Sequence, residues 1–369
     1  MDGSAGLPPD PPPERGGDGP SSPAVGRGAN KHRINLALQG GGTHGAFTWG
    51  VLERLLEEEW LEVAAVSGTS AGAINAAMLV QGIARGGRAG AVAALDSFWR
   101  NIAAKLTFSP LRNSPVEKAI WGYDLSRSVA WQAFDTLTRV LSPYQLNPTP
   151  YEFNPLRRAL DQELDPAALA GGADGVRLFV SATNVRTGKA RVFRRDEIGV
   201  DHLLASACLP NIFKAVEIGG EAYWDGGYCG NPAIWPLYDR GGGPPDIVLV
   251  QINPINRPEV PTTVSDIITR LNELSFNASL GYEMRAIEFV QRLVDGGLLD
   301  EPRYSRLYVH LIEDEARMQR YGMATKYNGD WDFLMTLKAN GRGAADLWLR
   351  EHGDKLGRED SVDLRARFL

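Results

Sequence analysis

The sequence predicts an α/β fold with a mostly parallel central sheet, helices on both of its faces and a helical insertion. Three observations lead there. Short apolar runs alternate with stretches of helical periodicity from residue 34 to about 320, the order that strand–helix–strand crossovers produce. Two of those runs, 34–39 and 63–67, end in glycine-rich turns that open directly into helical patterns. The block 97–160 then interrupts the alternation with aromatic residues and prolines.

The 369 residues have room for one large α/β domain or two ordinary ones. Hydrophobic residues make up 43%, enough for a sizeable core. A net charge of −6 argues against a nucleic-acid partner, which a basic patch would announce. Cys208 and Cys229 do not form a Cys-x-x-Cys pair; they read as two reduced thiols, and neither a metal nor a cofactor is expected. The N-terminus lacks a basic start followed by an apolar core, and no run of about eighteen apolar residues occurs. The expected location is cytoplasmic, with peripheral contact on a membrane or lipid surface left open.

Residues 1–33 are rich in Pro, Gly and Ser and are expected to form a disordered tail, since they bury too little apolar surface to offset ordering. The basic cluster Lys31, His32 and Arg33 reads as a solvated lead into the first strand. Residues 34–39 are that strand. Residues 46–59 are a helix, with Val51, Leu52, Leu55 and Leu56 at helical spacing. Residues 63–67 are a buried strand, and 71–81, small and apolar, a helix packed tightly on the sheet. In 97–160, Trp131, Phe134 and Leu141 fall at helical spacing, among Trp99, Phe108, Trp121, Tyr144, Tyr151 and Phe153. This block covers the sheet edge, either as ordinary core or as an apolar cap above the site. Further strands are expected at 177–184, 189–193, 246–254 and 306–312, and a long helical region at 264–295. The catalytic body ends near 320. A C-terminal helical extension, 321–369, follows as a helix pair broken at Asn340-Gly341-Arg342-Gly343.

The chemistry centres on Gly68-Thr69-Ser70-Ala71-Gly72. Glycine is 41 of 369 residues, so this pattern is weak by itself. Its setting between a short apolar strand and a small-residue helix is what a nucleophile elbow needs. The helix start then offers the Ala71 N–H to a developing oxyanion. Gly40-Gly41-Gly42-Thr43-His44-Gly45 supplies consecutive N–H groups without side chains in the way, which suits an anion. Gly40, Gly42 and Gly45 also fit a dinucleotide fingerprint. That fingerprint wants an acid at the end of the next strand, where this sequence has Ser67-Gly68.

A serine nucleophile needs a base. His310 follows Ser70 and Asp225 in chain order, but it lies inside an alternating strand pattern, where a packed histidine is the ordinary outcome. His44 lies in the glycine loop, within reach of a substrate. Asp225, in Trp-Asp-Gly-Gly-Tyr, is the better candidate, because a carboxylate in a glycine-rich turn reaches a serine directly.

These three motifs, in this order, resemble the patatin-like phospholipase family of the bacterial type: a glycine loop at 40–45, an elbow at 68–72 and an Asp-Gly-Gly turn at 225–227. The stretches 181–189, 205–210 and 222–233 also resemble the family's, so the likeness spans about 34–254. The resemblance implies a three-layer patatin-like fold and a lipid acyl hydrolase of phospholipase A or esterase type. It implies a Ser–Asp dyad, in which Ser70 attacks and Asp225 takes its proton. The amides of Gly40, Gly41 and Gly42 would hold the oxyanion, and Gly45, Gly68, Gly72, Gly226 and Gly227 would shape the turns. His44 stands where many relatives carry Arg, which shifts the expected substrate toward a neutral lipid or another acyl ester. The alternative class, a lipid-binding scaffold that keeps the fold without turnover, is opposed by the intact Ser70 and Asp225.

Overall fold

The structure is a computed structural model and describes residues 31–106, 111, 113–147, 154–170, 175–238, 243–299 and 304–369. The expected tail up to residue 30, and the aromatic residues Phe108, Tyr151 and Phe153, lie outside the described residues.

The strands are β1 (His32–Leu38), β2 (Leu61–Thr69), β3 (Arg177–Asn184), β4 (Ala190–Arg194), β5 (Val216–Ile218), β6 (Glu221–Asp225), β7 (Asp246–Val250) and β8 (Tyr308–Ile312). They form one sheet in the order β5-β6-β3-β2-β1-β7-β8, with β4 also paired to β3. The run from β3 to β8 is parallel throughout, as the sequence predicts. The other end is antiparallel. There the hairpin of β5 and β6 occupies a stretch that the sequence reading left without strands. Gly219 and Gly220, both at positive φ, close it.

The helices are α1 (Gly45–Leu56), α2 (Ala71–Leu106), α3 (Pro115–Trp121), α4 (Val129–Val140), α5 (Pro143–Leu146), α6 (Pro155–Glu163), α7 (Pro166–Ala170), α8 (Val200–Ser206), α9 (Val264–Asp295), α10 (Glu315–Met318), α11 (Trp331–His352) and α12 (Leu364–Phe368). α2 runs well past the expected end at 81 and breaks at Gly86 and Gly87. The insertion helices α3, α4 and α6 start behind Ser114, Ser128 and Asn154, whose side chains accept the first free N–H groups.

Strand alternation builds the two cores. Ile34, Leu36 and Leu38 of β1, with Val248 and Val250 of β7, face a cluster that includes α1, α2 and α11. Ala37 of β1, with Ile247 and Leu249 of β7, faces a cluster with α9 and α12. Burial on both faces is why these strands read as continuous apolar runs.

The C-terminal segment corrects the sequence reading. Asn340-Gly341-Arg342-Gly343 does not break a helix pair, because α11 passes through it unbroken. Gly341 is there for α1: a Cβ on it would collide with the Phe47 carbonyl, and a Cβ on Gly50 would collide with the Lys338 carbonyl. The two helices cross backbone to backbone. Around the crossing, Lys338 and Arg342 pair with Glu53 at 2.6 and 2.9 Å. Lys338 also lies 4.0 Å above the Trp49 ring. The segment is thus packed into the body of the fold rather than appended to it.

Gly341→Ala is expected to lower stability by about 1–3 kcal/mol through overpacking. Gly343→Ala, two residues on and facing open space, is expected to raise it by about 0.4–1 kcal/mol. Urea midpoints of the two variants would check this, and equal midpoints would refute the crossing as described.

Candidate active site

β2 ends at Thr69 and α2 begins at Ala71, so Ser70 alone makes the turn. It adopts φ 54°, the one positive φ among described non-glycine residues. Such a conformation is strained and needs its surroundings to hold it. The Ser70 N–H donates to the Ser206 hydroxyl at 2.9 Å, and the Thr69 hydroxyl donates to the Gly230 carbonyl at 2.6 Å. The flanking positions have no space for a side chain: a Cβ on Gly68 would lie 2.5 Å from the Gly72 carbonyl oxygen, and Gly72 itself lies against the Leu38 carbonyl.

The glycine loop after β1 lies against this turn. A Cβ on Gly40 would fall 2.6 Å from the Ser70 Cβ, and one on Gly45 would fall 2.7 Å from the Ala71 Cβ. Side-chain amides clamp the loop from behind. The Gly40 N–H donates to Asn231 Oδ1 at 2.7 Å, and the Gly40 carbonyl accepts from Asn253 Nδ2 at 2.7 Å. Gln39 Oε1 accepts from the Ile252 and Asn253 N–H groups, each at 3.0 Å. This corrects one expectation. Gly40 is committed to Asn231, so its amide is not available to an oxyanion. Gly41 and Gly42 line the cavity beside Ser70, together with Ala71. Gly41 and Gly42 open the 3-10 turn Gly42–His44 and Ala71 opens α2, positions whose N–H groups have no partner within their own helical turn.

Register brings Asp225 to the same place. Thr69 pairs with Ser181 across β2 and β3, and Ala182 pairs with Asp225 across β3 and β6. Gly226 fits there because its Cα lies against the Ser181 carbonyl, and Gly227 because it lies against the Phe276 ring. Asp225 is 1% exposed. Its Oδ1 accepts from the Gly227 N–H at 2.7 Å. Its Oδ2 is buried without a hydrogen bond of good geometry, although the Ser70 hydroxyl is near enough to act on the carboxyl. Burial raises its pKa to about 7, against the pull of the Gly227 N–H, the Ser70 hydroxyl and the Lys326 charge.

Ser70 and Asp225 face a cavity of about 410 Å³. Its walls are mainly apolar, among them Ile74, Phe98, Ile102, Leu209, Phe213 and Phe276. Phe134 of the insertion also lines it, and its neighbour Trp131 is buried against Tyr327, with ring centroids 5.3 Å apart. The insertion is therefore both core and cavity wall.

His44 does not reach this cavity. It is 3% exposed, bonded to the Thr325 hydroxyl at 2.8 Å and packed against Tyr321 and Phe333. Burial, then the charges of Lys326 and Arg257, hold its pKa well below the ordinary histidine value. Thr43, one residue earlier, lines the cavity instead. His310 is a packed strand histidine, the ordinary outcome for its alternating pattern: it is fully buried, bonds Asp246 Oδ1 at 2.9 Å and is no part of the cavity wall.

Sequence reasoning missed Gln39, Asn231, Asn253 and Lys326. Asn231 and Asn253 follow glycine and strand signals directly, in Gly230-Asn231-Pro232 and Ile252-Asn253-Pro254, and a buried polar side chain at those points was the available signal. Lys326 has no such local mark. Among the described residues, no cluster of His, Cys, Asp or Glu is arranged to hold a metal ion, and no helix is long and apolar enough to cross a membrane.

No curated protein sequence matches the chain. Among solved structures it is similar to VipD from Legionella pneumophila, at 15% identity over 85% of this chain and 68% of that one, with a TM-score of 0.36. It is also similar to the ExoU–SpcU heterodimer from the type III secretion system of Pseudomonas aeruginosa, at 18% identity over 68% of this chain and 51% of that one, with a TM-score of 0.29. The model of the patatin-like phospholipase family matches residues 36–238. That span is more than half of the chain and takes in the loop, the elbow and the aspartate turn together, so the chain belongs to the patatin-like phospholipase family.

Proposed function

We propose that the chain is a serine-dependent lipid acyl hydrolase. One observation carries the reading: Ser70, held at a strained turn, shares an apolar cavity with a buried carboxyl that keeps one oxygen uncommitted. Asp225 Oδ2 takes the Ser70 proton as Oγ attacks the ester carbonyl. The N–H groups of Gly41, Gly42 and Ala71 receive the oxyanion. The ester bond breaks, and the alcohol leaves with the proton from Asp225. A water molecule, deprotonated by Asp225, then releases the acyl group as an acid and returns the proton to Ser70. The apolar wall suits the acyl chain. The exposed Val129 and Val140 at the two ends of α4 suit contact with a lipid surface.

Wild-type protein is expected to give a single covalent adduct with a fluorophosphonate probe, and Ser70→Ala none, as read by intact mass. A wild type that never labels moves the weight to a lipid-binding scaffold.

The labelling rate should rise with pH through about 7, because Asp225 acts only when ionised. At pH 6 it should be about a tenth of its alkaline plateau. A flat profile down to pH 5 would exclude Asp225 as the base. Asp225→Asn should slow labelling by roughly 100- to 10,000-fold.

The same variant should stabilise the fold. An acid whose folded pKa lies above its unfolded value destabilises the folded state at high pH and not at low pH. For Asp225 the destabilisation grows from about pH 4 and is complete above about pH 7. Asp225→Asn should therefore melt higher than wild type at pH 8, by on the order of 4 kcal/mol, with little difference at pH 4. Parallel melting curves across that range would contradict the burial argument.

A further inference from the structure

Lys326 lies in the 3-10 turn Met323–Tyr327, a hundred residues beyond Asp225. With Asp225 it makes up the charged side chains among the described residues that line the cavity. Its ammonium group donates to Asn253 Oδ1 and to Asn272 Oδ1, each at 2.9 Å, and stands 5.5 Å from the Phe276 ring centroid. No carboxylate lies within ion-pair distance of it among the described residues. The nearby acid on α9, Glu273, is already held by Arg257 at 2.5 Å and Arg270 at 3.3 Å. A cation bonded to two neutral amides beside an apolar wall is costly to bury. In such surroundings its field on a second charge is also weakly screened.

We propose that Lys326 is a positioning residue of this site, whose ammonium group favours the ionised form of the Asp225 carboxyl and fixes the amide clamp on the glycine loop. This rests on the reading of Ser70 and Asp225 as the reacting pair. The first half is electrostatic. Asp225 is faced by the Ser70 hydroxyl, the Gly227 N–H, Tyr228, Tyr327 and Lys326, and of these Lys326 alone brings a positive charge. Lys326 in turn is faced by Glu273, Asp225, Arg257 and His44. Burial brings its own pKa down to about 8, so it still carries charge at neutral pH. The second half is geometric. An ammonium has donors only, so it turns Asn253 Oδ1 toward itself. That leaves Asn253 Nδ2 for the Gly40 carbonyl at 2.7 Å and Gln39 Oε1 at 3.2 Å. The Lys326 carbonyl meanwhile packs against Gly42, where a Cβ would collide with it.

The test compares wild type with Lys326→Gln, which keeps a donor but loses the charge, and Lys326→Arg, which keeps the charge. Fluorophosphonate labelling is followed from pH 5 to 9. In Lys326→Gln the acid limb is expected to move to higher pH, the direction that removing a nearby opposite charge produces. Lys326→Arg is expected to return the limb to the wild-type position. A merely structural lysine would change the plateau and leave the limb in place, and that result overturns the proposal. A second readout needs no activity. The pH window over which Asp225→Asn and its parent diverge in melting temperature is measured with and without Lys326→Gln. An upward move of that window supports the proposal, and an unmoved window overturns it even if the protein never labels. A wild type that labels normally with an unmoved limb in Lys326→Gln sinks this inference alone. A wild type that never labels sinks the hydrolase reading instead.

Discussion

The burial of the Asp225 carboxyl is the constraint on which the site depends. A carboxyl taken out of water resists ionisation, and one paired closely to a cation becomes too weak a base to move a proton near neutrality. Asp225 lies between those limits, near pH 7, because its compensation is partial: one backbone N–H, a hydroxyl and a cation that is not in contact. Asp246 on the same sheet shows the other outcome. It is just as buried, at the start of β7. Burial alone would raise its pKa, but His310, the Gly357 N–H and His32 all bond it and hold it below the ordinary carboxylate range. One aspartate is fully satisfied and ties the chain together. The other is left incomplete at the edge of the sheet where parallel strands end and ligands bind.

The short stretch from Asp225 to Asn231 also holds the other two parts of the site. The Gly230 carbonyl receives the Thr69 hydroxyl and so restrains the serine turn. Asn231 Oδ1 receives the Gly40 N–H and so restrains the glycine loop. Asp225, Ser70 and the glycine loop are thus braced by one another over a few residues. A displacement of the Asp-Gly-Gly turn would move all three. That makes the close approach of Gly40 to Ser70 tenable, since neither partner has room to shift.

Much of this arrangement was legible in the sequence because it is local. Ser70 at a strand–helix turn, the glycines before α1 and an Asp-Gly-Gly turn each announce themselves within five or six residues. The parallel half of the sheet was legible too, since strands buried on both faces read as apolar runs. What escaped depends on distant partners. His44 looked exposed to a substrate because nothing near it in the chain covers it; Thr325 and Phe333 do. Gly40 looked like an oxyanion donor because Asn231, which takes its N–H, lies 191 residues away. Gly341 looked like a helix breaker because a glycine required for a backbone crossing has the same letter as one required for a turn. The β5–β6 hairpin was hidden by its brevity, as three and five residues show little alternation.

The segment after residue 320 shows why such long-range terms matter to the chemistry. α11 crosses α1, the helix that continues directly from the glycine loop. The turn just before α11 puts the Lys326 carbonyl against Gly42 and the Thr325 carbonyl on the Thr43 hydroxyl at 2.9 Å. The outer side of the loop is therefore packed by C-terminal residues, while Gly41 and Gly42 line the cavity on its inner side. A loop rich in glycine has many conformations open to it, and fixing one of them carries an entropic cost. Here the amides of Asn231 and Asn253 fix it from the sheet side, and residues 325 and 326 fix it from the outside. Loss of either set would leave the sequence motif intact and the N–H groups without a defined direction, so the motif describes the site only in combination with the residues that enclose it.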